Sequence, residues 1–181
     1  MNLPNKLTIT RIILVPLLLV ILYCMNGKLG MSLLGALLFL LISLTDLLDG
    51  YIARKYNLVT DFGKFLDPLA DKILVISTMI AFIDLGYMSS LAVIIIIIRE
   101  FLVTSLRLVA ASGNLVIAAS KSGKLKTVIQ MITLTVLFFT PQIREFVKFP
   151  VTEILVWISV AITVISGAEY LLKNKDVLKT K

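Results

Sequence analysis

Six apolar stretches follow one another along this 181-residue chain, at about Leu7–Met25, Leu29–Leu48, Phe65–Ile83, Met88–Leu106, Leu125–Thr140 and Val151–Leu172. Each is close to the ~20 residues a helix needs to cross a bilayer, and Gly, Pro, Asn or charged residues break the pattern between them. Hydrophobic residues make up 59% of the chain and charged ones 16%, an apolar excess larger than one small soluble core can bury. The pattern predicts an all-α integral membrane protein of six transmembrane helices, folded as a single membrane domain over residues 1–181. The first stretch follows Lys6 and Arg11 and has the look of a signal peptide. Tyr23, just before Cys24, is too large for a cleavage site, so this stretch reads as a retained span.

The basic residues give the orientation. With six spans, the N-terminus, the Tyr51–Lys64 and Gly113–Lys124 loops and the C-terminal tail share one side. Fourteen of the 18 Lys and Arg residues fall there or at adjoining span ends, against Lys28, Arg144 and Lys148 on the other side and Arg99 within the fourth span. Cytoplasmic loops are the ones enriched in Lys and Arg, which places both termini in the cytoplasm of a multi-pass cell-membrane protein. In a chain this apolar, the net charge of +7 reads as basic loops beside anionic lipid, and no nucleic-acid partner is expected.

There is no histidine, which removes Ser-His and Cys-His dyads and imidazole metal ligands, and the single cysteine, Cys24, allows neither an intrachain disulfide nor a Cys-based zinc site. Chemistry is left to carboxylates, Lys, Arg, Tyr or a bound metal. No internal repeat is evident, nor the paired broken helices of alternating-access transporters.

Charged groups near a bilayer interior are costly, at about 2.5–3.5 kcal/mol each on insertion scales, and a cluster of four carboxylates here calls for partners or a function. Asp46 and Asp49 close the second span, and Asp67 and Asp71 open the third from the same side. At 100° per residue, a second helix running on past the membrane edge superposes Asp46 and Ala53, with Asp49 and Gly50 beside them. Asp67 and Asp71, one turn apart, share a face. Asp67 before Pro68 also fits a helix N-cap followed by a first-turn proline. Four converging carboxylates repel one another unless a divalent cation joins them, and an all-oxygen ligand set selects a hard ion such as Mg²⁺ or Mn²⁺. Arg54 and Lys55, then Gly63 and Lys64, stand beside the cluster. Metal, guanidinium and glycine together suit a pyrophosphate, whose charge they neutralise and whose approach to the backbone they permit.

The full pattern, Asp46-x2-Asp49-Gly50-x2-Ala53-Arg54-x8-Gly63-x3-Asp67-x3-Asp71, places eight fixed residues across 26 positions. It resembles, position for position, the signature of the CDP-alcohol phosphotransferases, membrane enzymes of phospholipid synthesis. Further segments are similar to the subgroup whose acceptor is sn-glycerol 3-phosphate: Asn2-Leu3-Pro4-Asn5 with Thr8, Arg11 and Pro16; Arg99-Glu100-Phe101 to Arg107; and Ala118-Ala119-Ser120 with Gly123, Lys124, Lys126, Thr127 and Gln130. The resemblance implies transfer of a phosphatidyl group from CDP-diacylglycerol to sn-glycerol 3-phosphate with release of CMP, at a site on the cytoplasmic face. It implies two divalent ions held by Asp46, Asp49, Asp67 and Asp71, with Asp71 also the general base. By the same resemblance Gly50, Ala53, Arg54 and Gly63 line the cytidine diphosphate site, and the enzyme is a homodimer.

The acceptor's own phosphate calls for a second cationic pocket. Arg107, Lys121, Lys124 and Lys126 are the basic residues on that face left over by the nucleotide. Arg99 and Glu100 lie deeper and read as part of a buried ion network. Other readings of the same residues are an inositol phosphate or serine acceptor, a divalent-cation transporter and an intramembrane prenyltransferase. A transporter would spread its acids through the bilayer, whereas these sit at one edge.

Overall fold

A computed structural model describes the backbone of residues 3–25, 27–55, 61–112 and 120–175, and the side chains of 6–25, 27–45, 66, 69–110 and 120–175. The described residues form seven helices: α1 (Leu3–Tyr23), α2 (Leu29–Lys55), α3 (Asp61–Asp84), α4 (Ser90–Ser112), α5 (Lys121–Leu137), the short α6 (Thr140–Phe146) and α7 (Val151–Lys173). A long helix lies at each of the six apolar stretches. By length and apolarity alone, Lys6–Tyr23 and Val151–Lys173 are long and apolar enough to cross a membrane, and α5 with α6 makes a third if that bent pair is one span. In α2 the purely apolar part is Leu29–Thr45, ending where the acidic motif begins.

The packing is that of a protein dissolved in lipid. Thr8, Arg11, Ser32, Thr78, Gln130, Thr133, Thr163 and Ser166 are buried, while Ile13, Leu17, Leu33, Leu37, Leu41, Ile94, Ile98 and Ile165 point outward. With apolar tails as solvent, no hydrophobic force separates Leu from its surroundings, so small and polar side chains take the helix–helix interfaces.

Helix α1 packs along α2 and α3, and α7 packs along α4 and α5; the two groups meet through α3 with α4 and α5, and α2 with α5. At one end Tyr23 Oη donates to Asp84 Oδ2 at 2.6 Å, joining α1 to α3. At the centre Phe138, in the joint after α5, meets Phe82 edge-on at 5.1 Å between ring centroids and Phe39 at 5.8 Å. Gly35 of α2 makes room for this ring, since a Cβ there would stand 2.8 Å from Phe138 Cε1.

Four boundaries differ from the sequence expectation. Helix α2 does not stop at Leu48 but continues through the motif to Lys55, about 40 Å of helix at 1.5 Å per residue. Helix α3 begins at Asp61 rather than near Phe65, so Asp67 is not an N-cap and Pro68 lies inside the helix, near its start. Polar residues that punctuate a hydropathy profile are compatible with helix once they project beyond the hydrocarbon. Lys121, Lys124 and Lys126 belong to the first turns of α5, capped by Ser120 accepting from the Gly123 N–H at 3.0 Å, and not to a loop. The fifth stretch breaks after Leu137 and turns through 70° into α6. Pro141 explains the break: it lacks an N–H and disfavours helical geometry in the residue before it. Thr140 Oγ1 donates to the Leu137 carbonyl at 2.8 Å, satisfying an acceptor at the end of α5.

Gly35→Ala is expected to destabilise the protein by about 1–3 kcal/mol, because Phe138 is wedged between two other rings and cannot retreat. The melting temperature in detergent should fall, and Phe138→Leu in the same chain should restore part of it. An unchanged melting temperature for Gly35→Ala would contradict this packing.

Candidate active site

Continuity of α2 through Lys55 puts Asp46 and Ala53 on one line of the helix, with Asp49 and Gly50 at its sides. In α3 the four-residue steps from Gly63 to Asp67 to Asp71 trace one stripe. The backbone thus carries the motif on two helical faces, one at the end of α2 and one at the start of α3. The side chains of Asp46, Asp49, Gly50, Ala53, Arg54, Gly63 and Asp67 lie outside the described residues. Asp71 is the motif aspartate whose side chain is described, and among the described residues no three potential ligands cluster.

Asp71 lines two cavities of opposite character. One is a groove of about 510 Å³ between α2 and α5, walled by Leu40, Ser43 and Leu44 on one side and Val128, Met131, Ile132, Thr135 and Val136 on the other. The second is a chamber of about 70 Å³ among α3, α4 and α5, where Lys72, Glu100, Lys126, Thr127 and Gln130 bring charge and hydrogen-bonding groups to an otherwise apolar wall. Thr127 and Met131 border both, so they and Asp71 form the partition between the two.

The chamber's charges are held firmly. Lys126, 5% exposed, donates to Glu100 Oε1, which also accepts from Arg99 Nη1 at 2.9 Å. Arg99 Nη2 donates to Ser166 Oγ of α7 at 2.8 Å. Its stem lies on Gly167, where a Cβ would come within 2.7 Å of Arg99 Cγ. Lys72 Nζ donates to Thr104 Oγ1 at 2.6 Å and sits 5.5 Å from the centre of the Phe101 ring. Both ammonium groups lie within electrostatic reach of the Asp71 carboxylate.

Among the basic residues expected to receive a phosphate, the structure separates Lys126 from the rest. Lys126 is buried and paired at the chamber wall, whereas Arg107, Lys121 and Lys124 are exposed on α4 and α5. The Arg99–Glu100 pair expected from the sequence as part of a buried network is present but only partly buried, and it extends to the buried Lys126. Lys72, Thr104 and Ser166 were not singled out by sequence reasoning as site residues, whereas Thr127 was part of the segment similar to the subgroup. Lys72 follows a motif aspartate directly and could have been noticed; Ser166 and Gly167 matter only because α7 crosses α4 there, which no local pattern announces.

Inside an all-helical protein, an apolar groove and a charged chamber share one carboxylate, an arrangement with an apolar wall on one side and hydrogen-bonding groups on the other. The family model for CDP-alcohol phosphatidyltransferases matches residues 1–165, and the chain belongs to that family. Its relatives include the CDP-diacylglycerol–glycerol-3-phosphate 3-phosphatidyltransferase of Bacillus subtilis, 46% identical over 99% of this chain and 98% of the relative. The proteins of the same name from Rickettsia typhi and Salmonella choleraesuis are 42% and 36% identical, over 93% and 78% of this chain and 94% and 79% of their own lengths.

Gly167→Val is expected to push Arg99 off α7 and break its bond to Ser166. The expected outcome is a lower melting temperature, by an amount equivalent to about 1–3 kcal/mol, and reduced turnover. A variant that melts and turns over like the wild type would show that this crossing does not support the site.

Proposed function

We propose that this protein transfers the phosphatidyl group of CDP-diacylglycerol to sn-glycerol 3-phosphate, giving phosphatidylglycerophosphate and CMP. The observation that carries the reading is the placement of Asp71 on the wall between the apolar groove and the charged chamber that holds Lys72 and Lys126. A lipid donor and a phosphorylated, water-soluble acceptor need that pair of environments on either side of one proton acceptor. The names of full-length relatives support the donor and acceptor.

In this reading an acyl chain of the donor lies in the groove against Leu40, Leu44, Met131 and Ile132, and the diphosphate reaches the end of α2, where Gly50, Ala53, Arg54 and Gly63 hold the nucleotide. The acceptor's phosphate enters the basic side of the site, served by Lys126 with Arg107, Lys121 and Lys124. Asp71 takes the proton of the glycerol 1-hydroxyl as its oxygen attacks the phosphatidyl phosphorus. A new P–O bond forms, the P–O bond to CMP breaks, and CMP leaves with the electron pair. Asp46, Asp49, Asp67 and Asp71 would hold two divalent ions; their all-oxygen donor set and one-turn spacings fit Mg²⁺ or Mn²⁺. Such ions, when bound, supply the Lewis acidity that neutralises the diphosphate.

The same proposal includes six membrane spans, both termini in the cytoplasm and an active site on the cytoplasmic face, on the strength of the basic residues gathered at that end of the helices. The homodimer implied by the family belongs to it as well.

The test is CMP release by the purified protein with CDP-diacylglycerol and Mg²⁺, with and without sn-glycerol 3-phosphate. Release is expected only with that acceptor, is stopped by EDTA, and is abolished in Asp71→Asn with the fold retained. Release with another alcohol instead would keep the family chemistry and replace the acceptor; wild-type turnover by Asp71→Asn would remove Asp71 as the base. Thr135→Trp should fill the groove and raise the donor KM about tenfold, the equivalent of roughly two methylene groups left unburied, with the acceptor KM unchanged. Equal donor KM values would place the acyl chain elsewhere.

A further inference from the structure

We infer that Glu100 is a positioning residue for acceptor binding: it holds the Lys126 ammonium at the wall of the chamber beside Asp71, so that the acceptor's phosphate meets a fixed cation. The inference rests on the transferase reading above. A lysine stem has four rotatable bonds, and an ammonium on it is a mobile point charge unless something fixes it. Lys126 is 5% exposed, and the Glu100 carboxylate fixes it. Glu100 is in turn fixed from the other side by Arg99, which is tied to Ser166 and rests on Gly167. The chain of contacts runs from α7 through α4 to α5 and ends at the chamber.

The arithmetic of charge and donors leaves Lys126 able to bind. One carboxylate between two cations gives a net charge of +1 for the group, and on the same chamber the charges of Lys72 and Asp71 cancel, so that +1 remains. An ammonium carries three donors, and the bond to Glu100 uses one of them. Were Glu100 a tie between helices and nothing more, a cation would not be needed at the end facing Asp71. Lys121 and Lys124, exposed on the outer turns of α5, have no such fixation among the described residues and can attract an anion without placing it.

The experiment is steady-state CMP release with each substrate varied at saturation of the other, together with the inhibition constant of inorganic phosphate competing with the acceptor. For Glu100→Gln the acceptor KM should rise about tenfold, with kcat and donor KM within about twofold of wild type, because binding of one substrate is weakened uniformly. The inhibition constant of inorganic phosphate should rise by the same factor. Glu100→Asp retains the charge one methylene further back and should give a smaller rise of about threefold. In a Lys126→Gln background the Glu100→Gln change should add nothing further to the acceptor KM, as expected for residues acting as a unit. If kcat and melting temperature fall while acceptor KM and phosphate inhibition stay at wild-type values, Glu100 is a helix tie and the inference is overturned. Should Glu100→Gln fail to fold, Glu100→Asp decides by the same criteria. A wild-type protein that releases no CMP with any acceptor overturns the transferase reading instead.

Discussion

The ion network that joins α4, α5 and α7 is organised around one partly buried carboxylate, Glu100, and the two cations it draws together. Ion pairs of this kind are poor sources of net stability, because removing two charges from water costs as much as their attraction returns. Their value lies in direction. Ser166 of α7 anchors Arg99 of α4, Arg99 holds the neighbouring Glu100, Glu100 fixes Lys126 on α5, and three helices that would otherwise pack through interchangeable apolar surfaces acquire one relative register. The close approach of α7 at Gly167 follows from the same constraint, since any side chain there would dislodge Arg99.

The second organising feature is the division of space beside Asp71. Helix α5 contributes to both sides of it: Val128, Ile132 and Thr135 to the apolar groove, Lys126 and Gln130 to the chamber, with Thr127 and Met131 between. A helix whose two faces differ in this way can serve a lipid and a water-soluble anion at once without a separate domain for either. The aromatic contact of Phe138 with Phe39 and Phe82 holds α5 against α2 and α3, so the groove's walls keep their separation.

Much of this was legible in the sequence. The six apolar stretches located six long helices, because length and hydropathy are sufficient where lipid is the solvent. The aspartate motif identified the family, because eight residues at fixed spacing are a strong constraint. Helix ends were misjudged for a physical reason: Asp61–Lys64 and Gly50–Lys55 are polar, and polarity marks the edge of the hydrocarbon and not the end of hydrogen bonding along a helix. The pairing of Glu100 with Lys126 was out of reach because the residues lie on different helices, 26 positions apart, with no periodicity to connect them. The break at Phe138 was hidden because the chain stays apolar through Phe139, and Pro141, three residues on, marks only the end of the hydropathy stretch. Where the described side chains stop, at Asp46, Asp49 and Asp67, the motif's spacing on two continuous helices is what the fold adds to the sequence.

The bend after Leu137 has a consequence for the surrounding bilayer. As a 17-residue helix, α5 is about 25 Å long, short of the ~30 Å hydrocarbon thickness, and its first turns carry lysines that belong at the head groups. Where α5 lies in a bilayer, the mismatch is relieved by thinning of the leaflet along that flank or by snorkelling of its lysines, each at modest cost. The groove that ends at Asp71 runs beside this same helix. Where the leaflet thins, a phospholipid drifting past would find its head group lowered toward the carboxylate by the shape of the membrane itself, before any side chain had touched it.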